Sequence, residues 1–216
     1  MAADGGVGKD AAESAGFAWV KICSGDSRGG FARAGLKPSV YSGDLVMEIR
    51  RFGVQDAEDL WRLRMIALQT DPWSFAESVE ELRQISVEEY GRRIGSGGDT
   101  SFVIGAFEGD VPVGMCGFYR ETLLKRRHKG HLWGVFVAPA ARGKKLGFML
   151  AARAIETART LPDLTSIQLT VSVTQDAARG LYRKLGFRIF GIEPRALGIG
   201  GKFVDEEHMV LNLDAA

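Results

Sequence analysis

Cysteine is scarce in this chain of 216 residues, which holds only Cys23 and Cys116. They lie far apart, in contexts with no metal-ligand or redox spacing, so a disulfide scaffold is excluded and both read as free thiols. An excess of one charge is also missing: 28 Lys and Arg stand against 27 Asp and Glu, and the near-neutral field gives no general reason to bind nucleic acid. No run approaches the ~20 apolar residues of a membrane helix. The N-terminal MAADGGVGKDAAESAG lacks the basic start and apolar stretch of a secretion signal. A cytoplasmic location is therefore expected, with neither membrane nor nucleic acid as partner. Apolar residues make up 45% and charged residues 25%, as in ordinary folded domains, so one core is expected.

Residues 1–45 are rich in glycine and sustain neither a helical nor a strand period. They read as a poorly ordered, dispensable extension, and 46–216 as a single domain. Met47 opens the organised region, so one reading starts translation there. An alternating run from Met47 precedes a helix with Leu60, Leu63, Ile66 and Ala67 on one stripe. Ser86-Val-Glu-Glu89 has capping-box spacing and predicts a helix through Tyr90 and Ile94, broken at Gly95-Ser-Gly-Gly98. Thr100–Phe107 and Val111–Tyr119 read as a hairpin around Glu108-Gly-Asp110. Leu132–Val137 is a strand halted at Pro139, Leu146–Ala158 a helix, Ser166–Val173 a strand, Gln175–Leu185 a helix and His208–Leu213 a last strand. Strand, helix, strand in that order predicts a parallel pair with a right-handed crossover, hence an α/β fold with a mixed sheet.

Two segments carry chemistry. Val137-Ala-Pro-Ala-Ala-Arg-Gly-Lys-Lys-Leu-Gly147 is a strand end followed by a basic, glycine-punctuated turn that opens a helix. Exposed amides at a helix start, with Arg142, Lys144 and Lys145 adding charge, suit a diphosphate, against the competing reading of a solvated basic turn that only begins a helix. Gln175-Asp-Ala-Ala-Arg-Gly-Leu-Tyr-Arg-Lys-Leu-Gly-Phe187 is a helix that ends on a C-cap glycine. Together they resemble the GNAT N-acetyltransferase superfamily, whose patterns V-x-P-x-x-R-G-x-G-x-G and N-x-x-A-x-x-L-Y-x-K-L-G-F stand in this order and spacing. The likeness spans about Met47 to Leu213. Lys145 departs from the family's usual glycine and Gln175 from its usual asparagine. Gly191 to Leu211 and Asp71-Pro-Trp-Ser-Phe75 are similar to segments of a bacterial subgroup whose acceptor they do not supply.

The resemblance implies a mixed, mostly antiparallel twisted sheet with flanking helices and a splayed parallel pair of central strands that takes acetyl-CoA as cosubstrate. The Val135, Phe136 and Val137 backbone would pair with the pantetheine arm. The amides around Arg142, Gly143, Lys144, Lys145, Leu146 and Gly147 would hold the pyrophosphate, with Gln175 as a further contact. Tyr182 would be the acid that protonates the leaving thiolate; a core tyrosine packed beside Leu181 and Leu185 is the competing reading. Glu121, His128, His131, Glu77, Glu80 and Glu81 are the candidate bases, each against the competing reading of solvated surface charge.

The expected function is acetyl transfer to a primary amine by direct transfer in a ternary complex, by a monomer or homodimer. The early Glu77, Glu80, Glu81, Glu88 and Glu89 lean toward a small cationic acceptor. A protein or peptide acceptor, or a non-catalytic CoA sensor, are the alternatives. The run Lys125–Lys129 reads as a solvated loop, Trp61, Trp73 and Trp133 as packing residues, and Cys116 as a buried thiol rather than a nucleophile.

Overall fold

The computed structural model describes residues 47–213; the glycine-rich extension and Cys23 lie outside the described residues. In chain order the elements are β1 (Met47–Arg51), α1 (Ala57–Thr70), α2 (Val79–Arg83), α3 (Val87–Ser96), β2 (Ser101–Glu108), β3 (Val111–Arg120) and β4 (Lys129–Val137). Then follow α4 (Leu146–Arg159), β5 (Ser166–Ser172), α5 (Asp176–Lys184), β6 (Arg188–Ile199) and β7 (Lys202–Asn212). Among the described residues seven strands form one sheet in the order β1-β2-β3-β4-β5-β7-β6. Every neighbouring pair is antiparallel except β4 and β5.

Alternation along the central strands feeds two cores, one on each face. On the first face Ile104, Cys116, Phe118 and Leu132 pack with Leu146, Leu150 and Ala154 of α4 and with Tyr182 and Phe187. On the second, Val103, Phe107, Met115 and Phe136 pack with Leu60, Leu63 and Ala67 of α1 and Tyr90 and Ile94 of α3. Adjacent residues such as Val103 and Ile104 serve opposite cores because side chains alternate along a strand. Each large apolar side chain fully buried in this way stabilises the fold by roughly 1.5–3 kcal/mol.

Four details differ from the sequence reading. Ile66 is exposed, and the buried stripe of α1 runs through Leu60, Leu63, Arg64, Ala67 and Leu68. Ser86 accepts from the Glu89 amide at 3.2 Å, but the Glu89 carboxylate turns to Arg92 and Arg93 instead of closing a box. The reciprocal box belongs to Ser78 and Glu81 and starts α2, a helix the period does not reveal. The chain also closes with a long β6–β7 hairpin rather than one short strand. Among the described residues no helix is long and apolar enough to cross a membrane.

Candidate active site

The parallel pairing of β4 with β5 is brief. It covers Lys129↔Ser166, Gly130↔Ile167 and His131↔Gln168, and stops there although both strands continue. A bulge explains the parting. Between Met115↔Phe136 and Gly117↔Trp133, two steps along β3 oppose three along β4, and the extra residue bends the strand. Gly134 sits in that bulge at φ +62°, a left-handed conformation that a β-carbon would penalise. Past His131 no strand among the described residues lies beside the β5-facing edge of β4, through Val135, Phe136 and Val137, which leaves a slot between the two strands.

At the end of β4 the chain turns at Pro139–Ala141 and enters α4. Gly143 at φ +86° and Lys145 at φ +59° are both left-handed. Glycine takes this conformation freely, whereas Lys145 takes it at a cost. The first α4 backbone bond runs from the Met149 amide to the Lys145 carbonyl, 3.1 Å. Helix geometry therefore leaves the Leu146, Gly147 and Phe148 amides without an intrahelical acceptor at the positive end of the dipole. These amides and the exposed Lys145 fit a diphosphate. The other two cations are already engaged: Arg142 pairs with Asp71 and donates through Nε to the Val137 carbonyl at 3.0 Å, and Lys144 reaches Glu108 at 2.8 Å. Gln175 is the N-cap residue of α5, and its side chain makes no capping bond.

Tyr182 lies on the inner face of α5, 7% exposed, its ring edge-on to Phe187 with centroids 6.0 Å apart. Burial pushes its phenol above the ordinary value of 10, with a smaller contribution from Cys116. Cys116 is fully buried and its thiol is pushed up to about 12, which makes it a poor nucleophile. An ion pair holds α5 on the sheet: Arg179 donates to Glu207 of β7, to Asp176 and to the Val173 carbonyl. The Arg179 hydrogen bond keeps the Glu207 carboxyl below its usual range.

The opposite face of the sheet carries the other polar groups. His131 stacks on Tyr119, centroids 4.8 Å apart, and its Nε2 is 3.1 Å from Glu121 Oε1. Burial holds the imidazole below its ordinary 6.5, against the opposing effect of Glu121. The structure thus joins two candidate bases. His128 instead contributes its carbonyl to the Thr165 and Ser166 amides. The early glutamates do not form an acidic wall: Glu77 is paired with Arg64 at 3.0 Å, Glu81 caps α2, Glu89 pairs within α3, and Glu80 is exposed. This removes the basis for the lean toward a cationic acceptor. Lys125 to His128 form a turn, in which Arg126 pairs with Glu121 and Arg127 with Asp163, and Lys129 opens β4. Trp61 packs on the second core and donates to the Ile85 carbonyl.

The sequence reading passed over Arg64, Arg179 with Glu207, and Asp71. A signal existed for two of them. Arg64 stands at helical spacing from Leu60, Ala67 and Leu68, and Glu207 has the strand parity of Met209 and Leu211; a charge at a core position marks a residue with a partner. Nothing local marks Asp71 as the partner of Arg142.

The sequence model of the Acetyltransferase (GNAT) family matches residues 62–187. Among curated proteins no sequence matches the chain. Solved structures do. The acetyltransferase of the GNAT family from Streptococcus pneumoniae is 27% identical, with a TM-score of 0.70 over 78% of this chain and 100% of that one. The yncA protein of Salmonella typhimurium, solved with its cofactor acetyl-CoA, is 23% identical with a TM-score of 0.66 over 79% and 96%. A phosphinothricin acetyltransferase from Sinorhizobium meliloti, in complex with acetyl-CoA, is 16% identical with a TM-score of 0.68 over 77% and 88%. The latter two, at these identities, speak for the fold. With the family model covering more than half of its length, on a sheet that parts between β4 and β5, the chain belongs to the GNAT acetyltransferase family.

Proposed function

We propose that the chain moves an acetyl group from acetyl-CoA to a primary amine by direct transfer in a ternary complex, with a small amine as acceptor. The observation that carries this reading is the slot between β4 and β5, which leads into the open N-terminus of α4. The backbone of Val135, Phe136 and Val137 offers the β5-facing edge of β4 to the pantetheine amides, where the Val137 carbonyl already accepts from Arg142. The turn from Arg142 through Gly143, Lys144, Lys145 and Leu146 to Gly147 holds the pyrophosphate, with Gln175 contributing its carboxamide.

When bound, acetyl-CoA supplies a thioester whose carbonyl the amine attacks. Tyr182 keeps its proton at neutral pH because burial disfavours the phenolate, and it donates that proton to the departing sulfur. An alkylamine with a pKa near ~10.4 is mostly protonated at pH 7, so a base is needed. His131, neutral at that pH and braced by Glu121, is the candidate for it.

Calorimetric titration with CoA, followed by CoA-release assays with amines and peptides, tests the proposal. Binding with turnover of small amines is expected. Turnover of peptides alone would replace the acceptor class, and binding without turnover would make the chain a CoA sensor.

A further inference from the structure

Arg64 is a charged side chain on the buried stripe of α1, and it is only 6% exposed. Its Nε donates to Glu77 at 3.0 Å, and its guanidinium lies over the rings of Phe75 (4.4 Å to the centroid) and Trp133 (5.9 Å). Its Nη1 is buried with no hydrogen-bond partner among the described residues. That nitrogen stands 3.4 Å from where a β-carbon on Gly134 would sit, so it is aimed at the bulge where β4 leaves β5.

A guanidinium is always ionised, and burying one with donors unmet is costly. The Glu77 pair accounts for Nε alone. A purely structural role at position 64 would be filled without that cost by the Leu that the rest of the stripe employs. The unmet donor, beside two aromatic walls and facing the bulge at Gly134, calls for an anion carried by the acceptor.

We infer that Arg64 receives the carboxylate of the acceptor, which makes the acceptor class the α-amino acids; this rests on the acetyltransferase reading above and narrows it. The planar guanidinium matches the two oxygens of a carboxylate. An α-amino acid carries its amine one carbon from the carboxylate, so anchoring one group at Arg64 holds the other against the β4 edge. A neutral carbonyl, such as that of the thioester, would take one donor and leave the fork of the guanidinium half filled.

The test compares L-amino acids with their decarboxylated amines and their carboxamides at saturating acetyl-CoA. The acids are expected to show a kcat/KM at least about tenfold higher, equivalent to roughly 1.4 kcal/mol. In Arg64→Lys and Arg64→Gln the KM for the acids should rise by a similar factor or more, with acetyl-CoA affinity by calorimetry kept. Amines or carboxamides used as well as the acids would overturn the inference and leave acetyl transfer to amines standing. A loss in the variants that falls equally on acids and decarboxylated amines would assign Arg64 to the thioester and also overturn it. No turnover of any of these by a chain that still binds CoA would overturn both readings. The comparison of acids with carboxamides in the wild-type chain decides the matter even if the variants fail to fold.

Discussion

Replacing Tyr182 by Phe separates proton donation from packing. The ring is 7% exposed and edge-on to Phe187. Phe keeps both the buried area and the ring pair, worth about 0.5–1.5 kcal/mol beyond burial. Only the hydroxyl is lost, with about 1 kcal/mol at stake if it forms a hydrogen bond. For a chain of this size that moves Tm by roughly 2–4 °C. The effect on the reaction is larger: a positioned acid contributes ~10²–10⁴ in rate, or about 2.7–5.4 kcal/mol at 1.36 kcal/mol per tenfold. The loss should fall on kcat, with CoA affinity unchanged. Burial raises the Tyr182 pKa well above 10, so the hydroxyl stays protonated and the ratio of wild-type to variant rates should be flat from about pH 6 to 9. Steady-state CoA release over that range, with calorimetric CoA binding and a melting curve, reads all three quantities. A variant with wild-type kcat throughout would refute the assignment of Tyr182 as the acid and return it to the core.

Three further outcomes are expected. Gly147→Val places a β-carbon 3.2 Å from Leu181 Cδ1 at the start of α4 and crowds the amides of the diphosphate turn, so CoA affinity should fall by about tenfold or more; unchanged calorimetric binding would remove this turn as the site. Lys145→Gly relieves a left-handed side chain at φ +59° and should raise stability by up to about 1 kcal/mol after the entropy that glycine adds to the unfolded chain; a lower Tm would show that the lysine contributes a contact. The His131 imidazole is held below 6.5 by burial, so below that value the unfolded chain binds more protons than the folded one. Its contribution to stability is therefore complete above pH 6.5 and declines as the pH falls through it, and Tm measured between about pH 5 and 7.5 should depend less on pH in His131→Gln than in the wild-type chain.

What the sequence determined by itself was local or periodic. The Glu108–Val111 hairpin, the strand over 166–172, the α4 and α5 segments and the order of motifs follow from turn chemistry, alternation and helix ends, which depend on residues a few positions apart. The resemblance extended this to the parted sheet. The tertiary structure alone decided the rest. β6 escaped notice because it is an edge strand with nearly every residue exposed and only Leu197 buried, so it carries no apolar alternation. The bulge at Gly134 exists only against β3. Arg142 meets Asp71 across 71 positions, and Glu207 meets Arg179 across 28. The helical period puts Arg64 on the buried stripe of α1, but only packing set it between Phe75 and Trp133 with one nitrogen unmet. Burial and partnership of a charge depend on which distant segments close around it, and a hydrophobic period has no means of recording that.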